Sequence, residues 1–331
     1  MRIGFQEAKV NDLVELWKEC YPEKYWVSPE LFKANTIESP LFDWGASSVE
    51  LGINGTPLGF VVVKKCASPR LWKGQDPDQA HVCACAFKEP QVGVDLFSFV
   101  KRLLRNRGIY RLVFGQDSRH FFPGCPSDCQ SLRDFLIIEG FQEGAEAVDL
   151  ERDVTDYAPP PAVAIESGAH SNEYALRDRE GAEATVRPIA QEDQAALRIF
   201  LNREFPGRWA YDTLNKIDLE ERSDFVYGLF YEGTLHGFAT TQDWTHRLPV
   251  GGGVWNLALG DRWGALGPIG VSRRVRGKGL GNGLLAAALN GLRERGARRT
   301  IIDWTALAPF YERHGFEITR TYRSFVLRLD G

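Results

Sequence analysis

Nowhere in the 331 residues does an apolar run approach the roughly 18 residues that a membrane-spanning helix requires. The first residues, Met1-Arg2-Ile3-Gly4-Phe5-Gln6-Glu7, lack the charged-then-apolar order of a secretion signal. Blocks of lysine and arginine are missing, and the formal net charge is only −4. A general nucleic-acid binder needs a basic arm or face, so neither nucleic acid nor membrane is expected as a partner, and the cytoplasm is the expected address. Cysteine is absent beyond residue 129. All six (Cys20, Cys66, Cys83, Cys85, Cys125 and Cys129) lie before it, and a reducing compartment keeps them as thiols. Cys83-x-Cys85 and Cys125-x3-Cys129, with His81 and His120 nearby, miss the spacing of familiar zinc motifs, so no metal is expected. What remains is 44% hydrophobic and 25% charged residues, the mixture of a chain that buries real cores, at a length that suits two domains.

The two halves echo each other at three places. Residues 49–53 lead into Asn54-Gly55-Thr56-Pro57-Leu58-Gly59-Phe60, and residues 225–231 lead into Glu232-Gly233-Thr234-Leu235-His236-Gly237-Phe238. Both are apolar runs joined by a turn pair containing glycine, which predicts β-hairpins. Leu104-Arg105-Asn106-Arg107-Gly108 matches Leu292-Arg293-Glu294-Arg295-Gly296, each closing a helical pattern with basic residues and a glycine stop. Gly140-Phe141 matches Gly315-Phe316. Between the halves, residues 156–181 begin with a proline run, Pro159-Pro160-Pro161, and predict a linker. The expected domains are therefore 1–155 and 182–331, each with the order β-α-β-β-β-α-β-α-β-β. That is an α/β class with mixed sheets.

The chemistry concentrates in the second half. Gly267-Pro268-Ile269-Gly270-Val271 is a short strand running into Ser272-Arg273-Arg274-Val275-Arg276-Gly277-Lys278-Gly279-Leu280-Gly281, and Asn282 continues into a helix. Glycines let backbone N–H groups converge on an anion, the helix start adds its positive end, and Arg274, Arg276 and Lys278 add charge. A Walker loop would need Gly-Lys-Ser/Thr after a longer gap, and a dinucleotide fingerprint would need a third glycine three residues on. The pattern Arg274-x-x-Gly277-x-Gly279, with Leu280-Gly281 next, resembles the signature of the GNAT superfamily of acetyl-CoA-dependent N-acyltransferases. Ala308-Pro309-Phe310-Tyr311-Glu312-Arg313-His314-Gly315-Phe316 resembles the final motif of that family. The resemblance implies two tandem GNAT-like domains, acetyl-CoA held by residues 269–271, 274 and 276–282, and Tyr311 as the acid that protonates the departing thiolate. A phenol of pKa about 10 suits that task; the plainer role for Tyr311 is packing against Phe310 and Phe316.

Family members often place a basic carboxylate on the fourth strand, and residues 267–271 carry none. Asp303, in Ile301-Ile302-Asp303-Trp304-Thr305, is the substitute, with a helix-capping role as its plainer alternative; Asp243 and His246 are further candidates. The acceptor side would draw on Glu204-Phe205-Pro206-Gly207-Arg208-Trp209, with Arg208, Trp209 and Asp243 as its expected residues. Trp244, Trp255, Trp263 and Trp304 offer aromatic planes that suit a sugar, although most such rings fill cores. These stretches also resemble a tandem acetyltransferase type found alone and joined to bacterial β-N-acetylglucosaminidases, which implies an amine acceptor of the amino-sugar kind.

Aligned on the shared helix end, Gly277 corresponds to Glu89, Gly279 to Gln91 and Arg274 to Ala86, while Gly281 keeps Gly93. Pro90 falls between them and has no N–H to give. Tyr311 corresponds to Leu136. The first copy is thus expected to be a silent structural partner. The expected activity is direct acetyl transfer to a small-molecule amine. A non-catalytic acyl-CoA-binding protein is the alternative, and aminoacyl transfer from tRNA is disfavoured by the acidic balance.

Overall fold

The computed structural model describes residues 1–65, 78–168 and 172–329. Its first elements are β1 (Arg2–Gly4), α1 (Val10–Cys20), α2 (Pro29–Asn35), β2 (Ser48–Leu51), β3 (Pro57–Lys65) and β4 (Gln79–Phe87). They are followed by α3 (Pro90–Asn106), β5 (Arg111–Phe114), β6 (Cys125–Pro126), α4 (Gln130–Ile138), β7 (Gln142–Asp153), β8 (Ile165–Ser167) and β9 (Tyr174–Arg177). Next come β10 (Glu183–Pro188), α5 (Gln194–Glu204), α6 (Arg208–Glu220), β11 (Val226–Tyr231), β12 (Thr234–Asp243) and α7 (Asn256–Leu259). The chain ends through β13 (Trp263–Val271), α8 (Leu280–Glu294), β14 (Arg299–Thr305), α9 (Ala308–Glu312) and β15 (Glu317–Arg328). Two compact units result. One unites Met1–Val148 with Arg320–Gly331, and the other is Asp149–Thr319.

In the first unit the sheet runs β1-β2-β3-β4-β5, antiparallel except for the parallel β4–β5 pair that α3 connects. The C-terminal part of β15 completes it, pairing Phe325 with Phe114 and Val326 with Val113. Trp17 anchors the core: Phe122 stacks on it at 5.4 Å and Phe121 lies at 5.3 Å. Both phenylalanines come from the long stretch 115–128, so that stretch is core material of its own unit. A buried lysine fastens it. Lys64 Nζ donates to Asp117 Oδ2 at 2.7 Å and to the carbonyls of Ser118 and Arg119 at 3.0 and 3.2 Å. Among the cysteines, Cys83, Cys85 and Cys125 are buried thiols whose pKa burial pushes up, while Cys66 lies outside the described residues.

In the second unit the order is β8-β9-β10-β11-β12-β13-β14, again antiparallel except for one parallel pair, β13–β14, connected by α8. Apolar side chains of α5 and α6, among them Leu197, Phe200, Leu201 and Leu214, pack on Val226 and Phe238 of the sheet. Glu232 and Gly233 both take positive φ (51° and 73°), the backbone that a tight two-residue hairpin turn requires.

The stretch 156–181, expected as a linker, corrects that expectation because it contributes β8 and β9; its residues 169–171 lie outside the described ones. Tyr174 and Leu176 are buried while Ala175 and Arg177 are exposed, the period-two pattern of a half-covered strand. Leu176 fills the space left by the missing side chain of Gly283 on α8, where a Cβ would lie 2.6 Å from Leu176 Cδ1. Four residues give too short an alternation to stand out among polar neighbours.

Candidate active site

Strand β13 leaves β14 part-way along. Their parallel pairing covers Trp263↔Arg299, Gly264↔Thr300 and Ala265↔Ile301 and then stops, while β13 stays on β12 through a register shift between Ala239 and Thr241. The departure falls at Gly267, whose φ of 153° favours glycine. Beyond it, residues 267–271 are only half-buried. Ser272 N donates to His236 O at 2.7 Å, which fixes the phase of the ladder. By the alternation of antiparallel pairs, the N–H and C=O of Ile269 and Val271 then point away from β12, toward the gap beside β14. Val271 O already accepts from Arg276 Nε at 3.2 Å.

At the open end the basic loop meets α8. Gly277 and Gly279 have φ of 79° and 89°, which other residues adopt only under strain. A Cβ added at Gly277 or Gly281 would meet nothing within 4 Å, and one at Gly279 would meet only the Arg179 side chain at 3.8 Å. The glycines thus keep a concave surface open. Leu280 starts α8, and the first N–H groups of a helix have no partner within it. A cavity of about 200 Å³ lies here, lined by this loop, Val271, Asn282 and Phe310.

Charge is distributed differently from the expectation. Arg276 lines the cavity. Arg274 is turned to Glu232 at 2.6 Å, an exposed pair. Lys278 leans away from the cavity onto Asp178 and Glu180, both at 3.1 Å, and its side chain therefore holds the turn after β9. Arg179, in that turn, lines the cavity instead. It lies inside the stretch expected as a linker; the only signal for it was the Asp178-x-x-Gly181 turn pattern.

On the other side of the gap, the carboxylate of Asp303 is walled by glycine. Cβ atoms added at Gly251 and Gly267 would lie 3.0 and 3.3 Å from its oxygens. The next residue, Trp304, has a φ of 46°, an outlier for a bulky side chain, and its N–H donates to Asp149 Oδ1 at 3.0 Å. The Arg208 guanidinium stacks over the Trp304 ring at 4.0 Å from its centroid. Trp209 instead packs on Phe205 and covers Gly270, so it is a wall of β13. Tyr311 is only 6% exposed. Burial pushes its phenol up to about 12, a hydrogen bond with Thr305 opposes this, and the Asp303 charge adds to it. Phe310, next to it, is the ring that lines the cavity.

Asp243 and His246 lie elsewhere. Asp243 pairs in register with Gly264, at the far end of β13 from the loop. It is wholly buried, bound by Arg295 at 2.8 Å and Thr245 Oγ1 at 2.6 Å, and these bonds hold its carboxyl well below the usual range. It is a structural knot away from the gap, which removes it from the acceptor residues. Trp255 and Trp263 are core residues.

Residues 193–316 match the model of the acetyltransferase (GNAT) family. That stretch of the second unit is similar to the acetyltransferase (GNAT) family. Three solved structures share the fold across nearly the whole chain. One is the GCN5-related glucosamine N-acetyltransferase region of a fungal multi-domain GH3 β-N-acetylglucosaminidase (18% identity, TM-score 0.82, 99% of this chain and 38% of that one). A second is a GCN5-related N-acetyltransferase from Sphaerobacter thermophilus (14%, TM-score 0.71, 99% and 95%). The third is a tandem GNAT protein from the clavulanic acid biosynthesis pathway (14%, TM-score 0.66, 100% and 99%). The chain thus spans 38% of the fungal protein's length, and these identities establish the tandem fold alone. The comparison with curated proteins gives no match.

At the corresponding place the first unit keeps a cavity of about 530 Å³, lined by Ala86, Phe87, Lys88 and Pro90, but it lacks the glycine loop. Glu89 caps α3 and Pro90 begins it. A Cβ at Gly93, the counterpart of Gly281, would lie 2.8 Å from the Phe135 ring and 2.9 Å from the Phe87 ring, so its space is filled. Leu136, the counterpart of Tyr311, is fully buried.

In the second unit, Asn282 is held by a chain of side chains. Its Oδ1 accepts from His314 Nε2 at 3.2 Å, which leaves His314 Nδ1 to accept from Tyr157 Oη at 2.8 Å. Burial, with Arg152 and Arg313 nearby, lowers the His314 pKa to about 4. The unfolded chain, with an imidazole near about 6.5, then binds the proton more readily than the folded one. His314 therefore stabilises fully above about pH 6.5, and the contribution is lost as the pH falls toward 4. Between pH 7.5 and 5 the expected loss from this group is about 2 kcal/mol. Denaturant unfolding of the wild type and His314→Gln at both pH values checks it: the variant should lack that part of the slope, and parallel pH dependences would refute it.

Proposed function

We propose that the second unit transfers the acetyl group of acetyl-CoA directly to the amine of an amino sugar. The observation that carries the reading is the parting of β13 from β14 beside an open glycine cradle. Acetyl-CoA supplies an acetyl group already activated as a thioester. The loop N–H groups of Gly277, Gly279, Leu280 and Gly281, with the Asn282 side chain and the nearby arginines, suit its pyrophosphate. The outward N–H and C=O groups of Ile269 and Val271 suit an extended amide-bearing chain laid in the gap, with Gly270 between them. The Val271 N–H is placed to polarise a carbonyl there. Tyr311 keeps its proton across the neutral range, so it can hydrogen-bond a leaving thiolate and deliver the proton.

Asp303 is assigned as the group that receives the amine's proton. The fit of an amino sugar rests on Trp304, the chain neighbour of that carboxylate, and on Arg208, which stacks on its ring and pairs with Asp212 at 3.4 Å. It also rests on the likeness to the fungal region, which is a glucosamine N-acetyltransferase region. Acetyl-CoA-dependent thiol release should be seen with glucosamine, should be absent with N-acetylglucosamine, and should be weak with peptide amines. Asp303→Asn should lower kcat/KM for glucosamine by about a hundredfold at neutral pH. Peptides outrunning glucosamine would overturn the acceptor class, and wild-type rates in Asp303→Asn would return that carboxylate to a capping role.

A further inference from the structure

Between β12 and β13 the chain forms a strap, residues 244–262, that reaches β14 at Gly251-Gly252-Gly253. A Cβ at Gly252 would lie 2.7 Å from Cγ2 of Ile301, the last residue of β14 that pairs with β13. Gly251 has a φ of 54°, and its Cβ would lie 3.0 and 3.2 Å from the two Asp303 oxygens. Only glycine lets main chain come this close.

Three buried side chains fasten the strap before it reaches Asp303. Gln242 clamps Val250, donating from Nε2 to its carbonyl at 2.7 Å and accepting its N–H at 3.0 Å. Lys216 Nζ, on α6, donates to Leu248 O at 2.7 Å. Glu220, one turn further along α6, accepts the N–H groups of Leu248 and Arg247 at 3.3 and 3.4 Å and pairs with Lys216 at 3.3 Å. Burial opposes the Glu220 charge, but Lys216, His246 and those two N–H groups outweigh it and hold the carboxyl below its usual range. In the sequence this appears as Arg208, Asp212, Lys216 and Glu220, charges alternating in sign at every fourth residue and so sharing one face of α6. The Arg208–Asp212 pair reaches Trp304 through the guanidinium stack, and the Lys216–Glu220 pair reaches the strap. One helix thus holds both neighbours of Asp303, the Trp304 ring and the strap at Gly251.

We infer that Lys216, Glu220 and Gln242 are positioning residues for the acetyl transfer: through the strap they set where the Asp303 carboxylate stands against the acceptor amine. The inference rests on Asp303 as the group that receives the amine's proton. A buried ion pair recovers little net stability, because desolvation offsets its attraction. What this pair supplies is a fixed path for the strap. That matters at Asp303, where a displacement of about 1 Å can cost about a hundredfold in rate.

A double-mutant cycle on the full chain tests this at saturating acetyl-CoA, with glucosamine as acceptor, or the fastest amine in thiol release if that is another. Lys216→Met with Glu220→Leu replaces the pair by apolar side chains of similar volume, a change that buried pairs tolerate. It should lower kcat by about tenfold and leave acetyl-CoA affinity and melting temperature near those of the wild type. Gln242→Leu, which releases Val250, should act in the same direction and serves if the paired change does not fold. Asp303→Asn should cost about a hundredfold in the wild type but only about tenfold on top of either anchor change, because both act at one carboxylate. Losses that simply multiply would overturn the inference, as would wild-type kcat in the anchor variants. Wild-type rates in Asp303→Asn would overturn the proton-acceptor reading itself, and the positioning role with it.

Discussion

Tyr311→Phe is expected to cut turnover by about two to four orders of magnitude while acetyl-CoA affinity stays nearly unchanged. The ring and its edge-to-face packing on Phe310, at 4.9 Å, survive the change, and only the hydroxyl is lost. The size of the rate effect depends on what the hydroxyl does. A phenol at about 12 is a weaker acid than an ordinary tyrosine, so full transfer to a thiolate in water would be uphill. Removal of water from the gap raises the basicity of the thiolate as well, and brings the two closer. Single-turnover rates on a confirmed acceptor are the measurement, because slow product release would hide the chemical step. Wild-type single-turnover rates in the variant would make Tyr311 a packing residue.

What was legible in the sequence is what is local. Hairpin turns with glycine, glycine-stopped helices, and the spacing Arg274-x-x-Gly277-x-Gly279 each declare themselves within a few residues. They predicted the hairpin of β11 and β12, the helix ends of α3 and α8, and the loop between β13 and α8. What was not legible depends on contacts far along the chain. Asp243 looked available because it follows a hairpin, yet Arg295 from the end of α8 binds it shut. Lys278 looked like a phosphate ligand because of its place in the motif, but Asp178 and Glu180 draw its side chain away. Arg179 was hidden by the proline run that made its surroundings look like a linker. The kink at Trp304 had no sequence signal at all, since its N–H partner, Asp149, lies at the end of the preceding half.

Gly279→Glu is expected to abolish acetyl-CoA binding, with at least a hundredfold loss of affinity. Three effects act together. The position has a φ of 89°, so any side chain costs about 1–2 kcal/mol of backbone strain and loosens the loop. The new Cβ would lie 3.8 Å from Arg179 Cγ, close enough for the added carboxylate to pair with that arginine and cancel its charge. The same carboxylate would stand at the start of α8, repelling a pyrophosphate and competing for the helix N–H groups. Gly279→Ala separates strain from charge: it carries the same φ penalty without the carboxylate, so it should bind measurably, between the wild type and Gly279→Glu. The wild type should titrate at one acetyl-CoA per chain, because the first unit offers Glu89, Pro90 and the filled space at Gly93 in place of a cradle. Two equal sites per chain would refute that assignment. Unchanged affinity in Gly279→Glu, with the far-ultraviolet circular dichroism of the wild type, would show that the glycine loop is only a turn.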